Sequence, residues 1–109
     1  MTKQGRFSPP DTSAILQTQR DQLDSINSQM VDLLSERMRV CMDIAELKAV
    51  HGIPMMQPQR ISQILGHLKE QSLQVGLNSA YVESIFKLII EETCVQEARL
   101  ISQRLIQGN

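Results

Sequence analysis

The chain has 109 residues, 41% of them hydrophobic, with a formal net charge of -1 and a sequence pI near 6.1. That size fits a single domain, the charge offers no overall basic field for nucleic acid, and 3% aromatic residues leave little for stacking on bases. No stretch approaches the roughly 20 apolar residues of a membrane span, and the opening MTKQGRFSPPDT has no apolar signal-peptide core, so the expected compartment is the cytoplasm.

Residues 1–11 read as a flexible tail: polar, with Gly5 and then Ser8-Pro9-Pro10. Residues 12–109 read as one helical domain. Asp11, Thr12 and Ser13 are all good N-cap residues, and from there a helical pattern runs without Gly or Pro to His51, with Gly52 as a natural stop. About 39 residues at 1.5 Å each predict a rod of roughly 58 Å. A lone domain this small cannot bury both ends of such a rod, which implies a partner.

Gly52-Ile53-Pro54-Met55-Met56-Gln57 reads as a loop, and Pro58 suits the first turn of a second helix to about Val75. Its apolar positions are Ile61, Ile64, Leu65 and Leu68. Gly76 ends it, and Asn78 can cap a third helix from Ser79 to about Ile106, with the stripe Val82, Phe86, Ile90, Thr93, Glu97, Leu100. The expectation is an all-α chain of three helices, long–short–long.

The first helix carries an anomaly. Met30, Leu34, Arg37, Cys41, Ile44 and Lys48 follow one another at spacings of four, three, four, three and four, one helical face. Four of the six suit a core; Arg37 and Lys48 do not. A buried, unpaired cation costs several kcal/mol, so two of them on that face point to an anion. Eleven residues at about 100° each leave the pair some 20° apart on the wheel and about 16 Å apart along the axis, and two long side chains can converge on one small dianion. The alternative is that each snorkels to solvent or pairs with a core carboxylate.

Arg20 lies seventeen residues before Arg37, about 25 Å along the helix. It reaches the same small ligand only from a second copy of the chain, and is otherwise an ordinary surface arginine. Arg60 sits in the first turn of the second helix, where free backbone N–H groups also attract anions; otherwise it is simply solvated. Lys69, Lys87, Arg99, Arg104 and Arg39 read as solvated faces, and Glu91 and Glu92 as surface residues.

On the third helix, Glu97 extends an apolar stripe four residues after Thr93. An ionised carboxylate facing a core is costly, which favours a protonated, hydrogen-bond-donating Glu97; the alternative is a salt bridge to a cation of another helix. His51 and His67 have no second ligand at a useful spacing, so no metal site is expected. Cys41 and Cys94 lack any CxxC spacing and read as reduced, buried small hydrophobes. No nucleophile–base pair, glycine-rich phosphate loop or paired-carboxylate motif stands out. Such a pocket, cationic with one carboxylic acid, suits a reaction that needs only conformational restraint and charge stabilisation.

Leu23-Asp24-x-Ile26-Asn27, Leu33-Leu34-Ser35-Glu36-Arg37, the turn Ile44-Ala45-x-x-Lys48, Arg60, and Phe86-Lys87-Leu88-Ile89-Ile90-Glu91-Glu92 together resemble the all-helical chorismate mutase family, over about residues 13–106. The resemblance implies an intertwined homodimer whose long first helices cross between subunits. It also implies a cofactor-free Claisen rearrangement of chorismate to prephenate, in which a C–O bond breaks and negative charge grows on the ether oxygen. The family's carboxylate-binding arginine matches Arg37, the lysine at the ether oxygen matches Lys48, the helix 2 arginine matches Arg60, and the arginine reaching in from the partner matches Arg20.

Three departures from the family pattern matter. The second ether-oxygen donor, a glutamine in many bacterial members, is Glu97, as in the fungal branch. Carboxylates that read the ring 4-hydroxyl in some members are replaced by Gln57 and Ile61. The run His51-Gly52-Ile53-Pro54-Met55-Met56-Gln57-Pro58 resembles relatives that rearrange 4-amino-4-deoxychorismate towards aminophenylalanine-type antibiotic precursors.

The site implied by the resemblance is then Arg20, Arg37 and Arg60 on carboxylates, Lys48 and Glu97 on the ether oxygen, and Gln57 and Thr93 reading the ring or a carboxylate. The substrate is chorismate or its 4-amino analogue, in aromatic amino acid or secondary-metabolite biosynthesis. Two rivals stay open: isochorismate pyruvate lyase on the same scaffold, which the acidic Glu97 and the longer Met55-Met56 loop disfavour, and a non-catalytic helical dimerisation or regulatory module.

Overall fold

The structure, a computed structural model, describes residues 12–107. The expected tail, residues 1–11, lies outside the described residues, as do residues 108 and 109. The described residues form three helices: α1 (Thr12–His51, 40 residues), α2 (Pro58–Gln74, 17 residues) and α3 (Ser79–Gln107, 29 residues). The described residues contain no strand. The all-α, long–short–long expectation therefore holds for them.

Each boundary has a local cause. Gly52 ends α1 with φ 66, in the left-handed region that glycine enters at no steric cost. That bend returns the Ile53 amide to the Lys48 carbonyl at 2.9 Å, satisfying an acceptor the helix end would leave open. Gly76 ends α2 in the same way: φ is 76, and the Leu77 amide donates to the Ser72 carbonyl at 2.8 Å. Pro58 opens α2, where its missing N–H costs nothing. Asn78 caps α3, its Oδ1 accepting the Ala80 amide at 2.9 Å and the Tyr81 amide at 3.3 Å.

The chain divides into two compact units, Met1–Arg37 and Met38–Asn109. In the second, α2 packs on α3. Ile61, Ile64, Leu65 and Leu68 of α2 are half-buried, and the α3 stripe is buried or half-buried at all six of its expected positions, Val82, Phe86, Ile90, Thr93, Glu97 and Leu100. The first unit, as far as it is described, is helix alone.

That explains one correction. The face of α1 expected to be a core stripe is covered only in part: Arg37, Cys41 and Lys48 are half-buried, but Met30 is 52%, Leu34 45% and Ile44 43% exposed. Among the described residues of the first unit there is no second element to cover it. In the second unit the inward line of α1 runs one position over, through Cys41, Ala45 and Lys48, with Ala45 fully buried. A second correction concerns the cysteines. Cys41 and Cys94 are thiols, as expected, but they are half-buried rather than buried.

Candidate active site

The second unit brings together two of the residues singled out by sequence. Lys48 lies in the last turn of α1, where a cation is favoured by the helix's negative end. Its Nζ stands 3.3 Å from Oε1 of Glu97 on α3 and donates to the Met55 carbonyl at 2.8 Å. Both side chains are nearly out of water, Lys48 at 14% and Glu97 at 8% exposure. The salt bridge weighed as the alternative for Glu97 is therefore present, and its partner is the helix 1 cation of the anomalous stripe. Ion pairing of this kind is what allows either charge to be retained away from solvent, since removing one partner strands the other.

Thr93 lies one helical turn before Glu97 and is buried; its hydroxyl donates to the Ile89 carbonyl at 2.8 Å. Thr93 and Glu97 are therefore two polar groups on the buried face of α3, and the Lys48 ammonium meets the second of them. An ammonium beside a carboxyl can stabilise an oxygen that gains negative charge, and the carboxyl can add a second hydrogen bond when it carries a proton.

The remaining residues are placed differently. Gln57, the residue before α2, and Arg60 in its first turn are both exposed. In the first unit Arg20 is exposed and Arg37 half-buried. His51 and His67 are exposed, and no group of three or more His, Cys, Asp or Glu side chains among the described residues is placed to hold a metal ion. No helix among the described residues is long and apolar enough to cross a membrane.

Sequence reasoning missed three features. An apolar groove of ≈ 550 Å³ runs between α2 and α3, with Ile61, Leu65, Ile90 and Cys94 among its walls and Met56 at its edge. Ile61 and Ile90 were legible as apolar stripe residues, but the groove between the helices was not. Arg104, read as a solvated residue, pairs with Glu46 and ties α3 to α1; a partner 58 positions away carries no local signal. The Met55 carbonyl that holds Lys48 is backbone, and leaves no mark in residue type.

Known proteins bear on this geometry. The chain is 32% identical over 83 residues to the 4-amino-4-deoxychorismate mutase of Streptomyces pristinaespiralis, 76% of this chain and 64% of that protein. It is 31% identical over 88 residues to the 4-amino-4-deoxychorismate mutase of Streptomyces venezuelae, 81% of this chain and 85% of that one. It is 29% identical over 84 residues to the bifunctional chorismate mutase/prephenate dehydratase of Buchnera aphidicola subsp. Schizaphis graminum, where the match takes in 77% of this chain and 22% of the other. The chain thus spans less than two thirds of the first relative and about a fifth of the bifunctional one. The model of the chorismate mutase type II family matches residues 19–98. That interval takes in Arg20 and Arg37, the Lys48–Glu97 pair with the loop between α1 and α2, and Arg60 and Thr93, so the chain belongs to the chorismate mutase type II family of isomerases.

Proposed function

We propose that the protein catalyses a cofactor-free Claisen rearrangement of a chorismate-type dianion, breaking the ether C–O bond and forming a C–C bond within one molecule. The observation that carries the reading is the buried Lys48–Glu97 pair between α1 and α3 in a chain of this family. Lys48 is the cation at the ether oxygen, where negative charge grows in the transition state. Glu97 is the second donor there, in its protonated form. Arg37 and Arg60 bind carboxylates, and Thr93 and Gln57 read a carboxylate or the ring. Restraining the flexible dianion in a compact reactive shape supplies part of the rate, and the preorganised cations supply more.

Between the two substrates, 4-amino-4-deoxychorismate is favoured. The names of two relatives support it. The product is then 4-amino-4-deoxyprephenate, a precursor suited to aminophenylalanine-type secondary metabolism. The test offers chorismate, 4-amino-4-deoxychorismate and isochorismate separately and follows each product. The expected result is rearrangement of the amino substrate with the highest kcat/KM and no pyruvate release from isochorismate. A higher kcat/KM on chorismate overturns the substrate preference and leaves the reaction; no turnover of any of the three leaves the non-catalytic module as the account.

The proposed assembly is a homodimer in which Arg20 enters the partner's site. Its support is the first unit, where Leu16, Leu23, Ile26, Met30 and Leu33 recur at spacings of seven, three, four and three and are 43%, 57%, 50%, 52% and 63% exposed. Covering such side chains contributes about 1 kcal/mol or more each, and the spacing is that of a helix seam. Sedimentation equilibrium is expected to give twice the chain mass for wild type, and a single-chain mass for Leu23→Asp with Ile26→Asp, with turnover lost in parallel. A monomeric, fully active wild type would refute the shared site.

A further inference from the structure

Lys48 is gripped at both ends by the loop that follows it. Its carbonyl accepts the Ile53 amide at 2.9 Å, and its ammonium donates to the Met55 carbonyl at 2.8 Å. Backbone and side chain of one residue thus close a ring around residues 48–55. A lysine ammonium rides on a flexible four-carbon stem, so its place beside Glu97 is set as much by this loop as by α1. The loop has little support of its own: Gly52, Ile53, Pro54, Met56 and Gln57 are all exposed, and Met55 is half-buried.

Its anchor is the next side chain. The Cys94 thiol faces the Met56 sulfur across 4.0 Å, and Met56 closes the edge of the apolar groove together with Ile61, Ile90 and Cys94. Thioethers fill such irregular gaps well, and the contact is one of dispersion and soft polarizability. Cys94 and Glu97 are three residues apart on α3, hence neighbours on one side of the helix. The loop's anchor and the ion pair's carboxylate are therefore carried by the same rigid element.

The geometry points to Met56 as a positioning residue for Lys48: seated on Cys94, it holds the Met55 carbonyl where that carbonyl directs the ammonium towards Glu97. Met56 touches no reacting atom and acts only through Lys48. The kinetic consequence rests on the isomerase reading above; the placement of the ammonium does not.

Two measurements test this. With the substrate that wild type turns over, Met56→Ala is expected to lower kcat roughly tenfold while KM changes by about twofold or less, and Met56→Leu, close in volume, to restore kcat to within about twofold. In protein labelled with 13C at the lysine ε-carbon, the Lys48 signal, identified by its loss in Lys48→Arg, is expected to move in Met56→Ala and return in Met56→Leu. A merely structural Met56 would lower the melting temperature with kcat and the Lys48 signal in place. An unmoved Lys48 signal, or an unchanged kcat in an active enzyme, overturns the inference. If wild type turns over none of the three substrates, the isomerase reading fails and the Lys48 signal alone decides this one.

Discussion

Lys48→Ala is expected to lower kcat by roughly a thousandfold, equivalent to about 4 kcal/mol of transition-state stabilisation, the scale for removing one preorganised donor from a developing oxyanion. In a pericyclic rearrangement no covalent step compensates for that loss. The ammonium sits 3.3 Å from Glu97 with only 14% of its side chain exposed, so solvent does not substitute for it. Arginine is not expected to rescue: its planar guanidinium differs from a compact point charge in size and in the directions of its donors.

The same substitution also tests the non-catalytic alternative, but not through stability alone. Were Lys48 an unpaired buried cation, its removal would relieve a cost. It is paired, so Lys48→Ala strands the Glu97 carboxylate and is destabilising whether or not the protein is an enzyme. The discriminating variant removes both charges at once. Lys48→Met with Glu97→Leu replaces a buried ion pair by apolar side chains, a change that is often neutral or stabilising. Thermal unfolding followed by circular dichroism is expected to show a melting temperature at or above that of Lys48→Ala, with turnover abolished. Retained turnover in that double variant would remove the pair from the mechanism.

How far the sequence foretells this arrangement depends on what kind of signal each feature leaves. The helix boundaries are marked by residues with one conformational talent each: Gly52 and Gly76 for positive φ, Pro58 for a first turn, Asn78 for a cap. The packed face of α3 is marked by periodicity, including its two polar members, Thr93 and Glu97, because that helix is packed along most of its length. The packed face of α1 is not. Ala45, the one fully buried apolar residue there, carries almost no hydropathic weight, whereas Ile44 beside it is strongly apolar and 43% exposed. Periodicity reads the stronger residue and lands one position off. Long apolar side chains in residues 12–37 then look like core although the described residues of their own unit hold no second element to cover them. Lys48 was legible as an anomaly, but the backbone carbonyl and the distant carboxylate that hold it were not, since one has no residue type and the other lies 49 positions away.

Glu97 carries the second large expectation, a donor role that glutamine should preserve and alanine should abolish. In the fold its Oε1 accepts from the Lys48 ammonium at 3.3 Å, and its side chain is 8% exposed. Ionised, it is a good partner for Lys48 and a poor one for an ether oxygen that gains negative charge. It offers that oxygen only lone pairs, and repels it. Protonated, it donates a hydrogen bond at the place where charge develops, and Lys48 is released from the pair to do the same. Glu97→Gln donates through its amide and still offers Lys48 a carbonyl oxygen, so its kcat is expected to stay at or above that of wild type. Glu97→Ala offers neither, and its kcat is expected to fall by roughly a hundredfold, the scale for losing one preorganised donor at a developing oxyanion. Steady-state kinetics of the two variants make the comparison. A Glu97→Gln variant as slow as Glu97→Ala would exclude Glu97 as the second donor and leave it as the counter-ion of Lys48 alone.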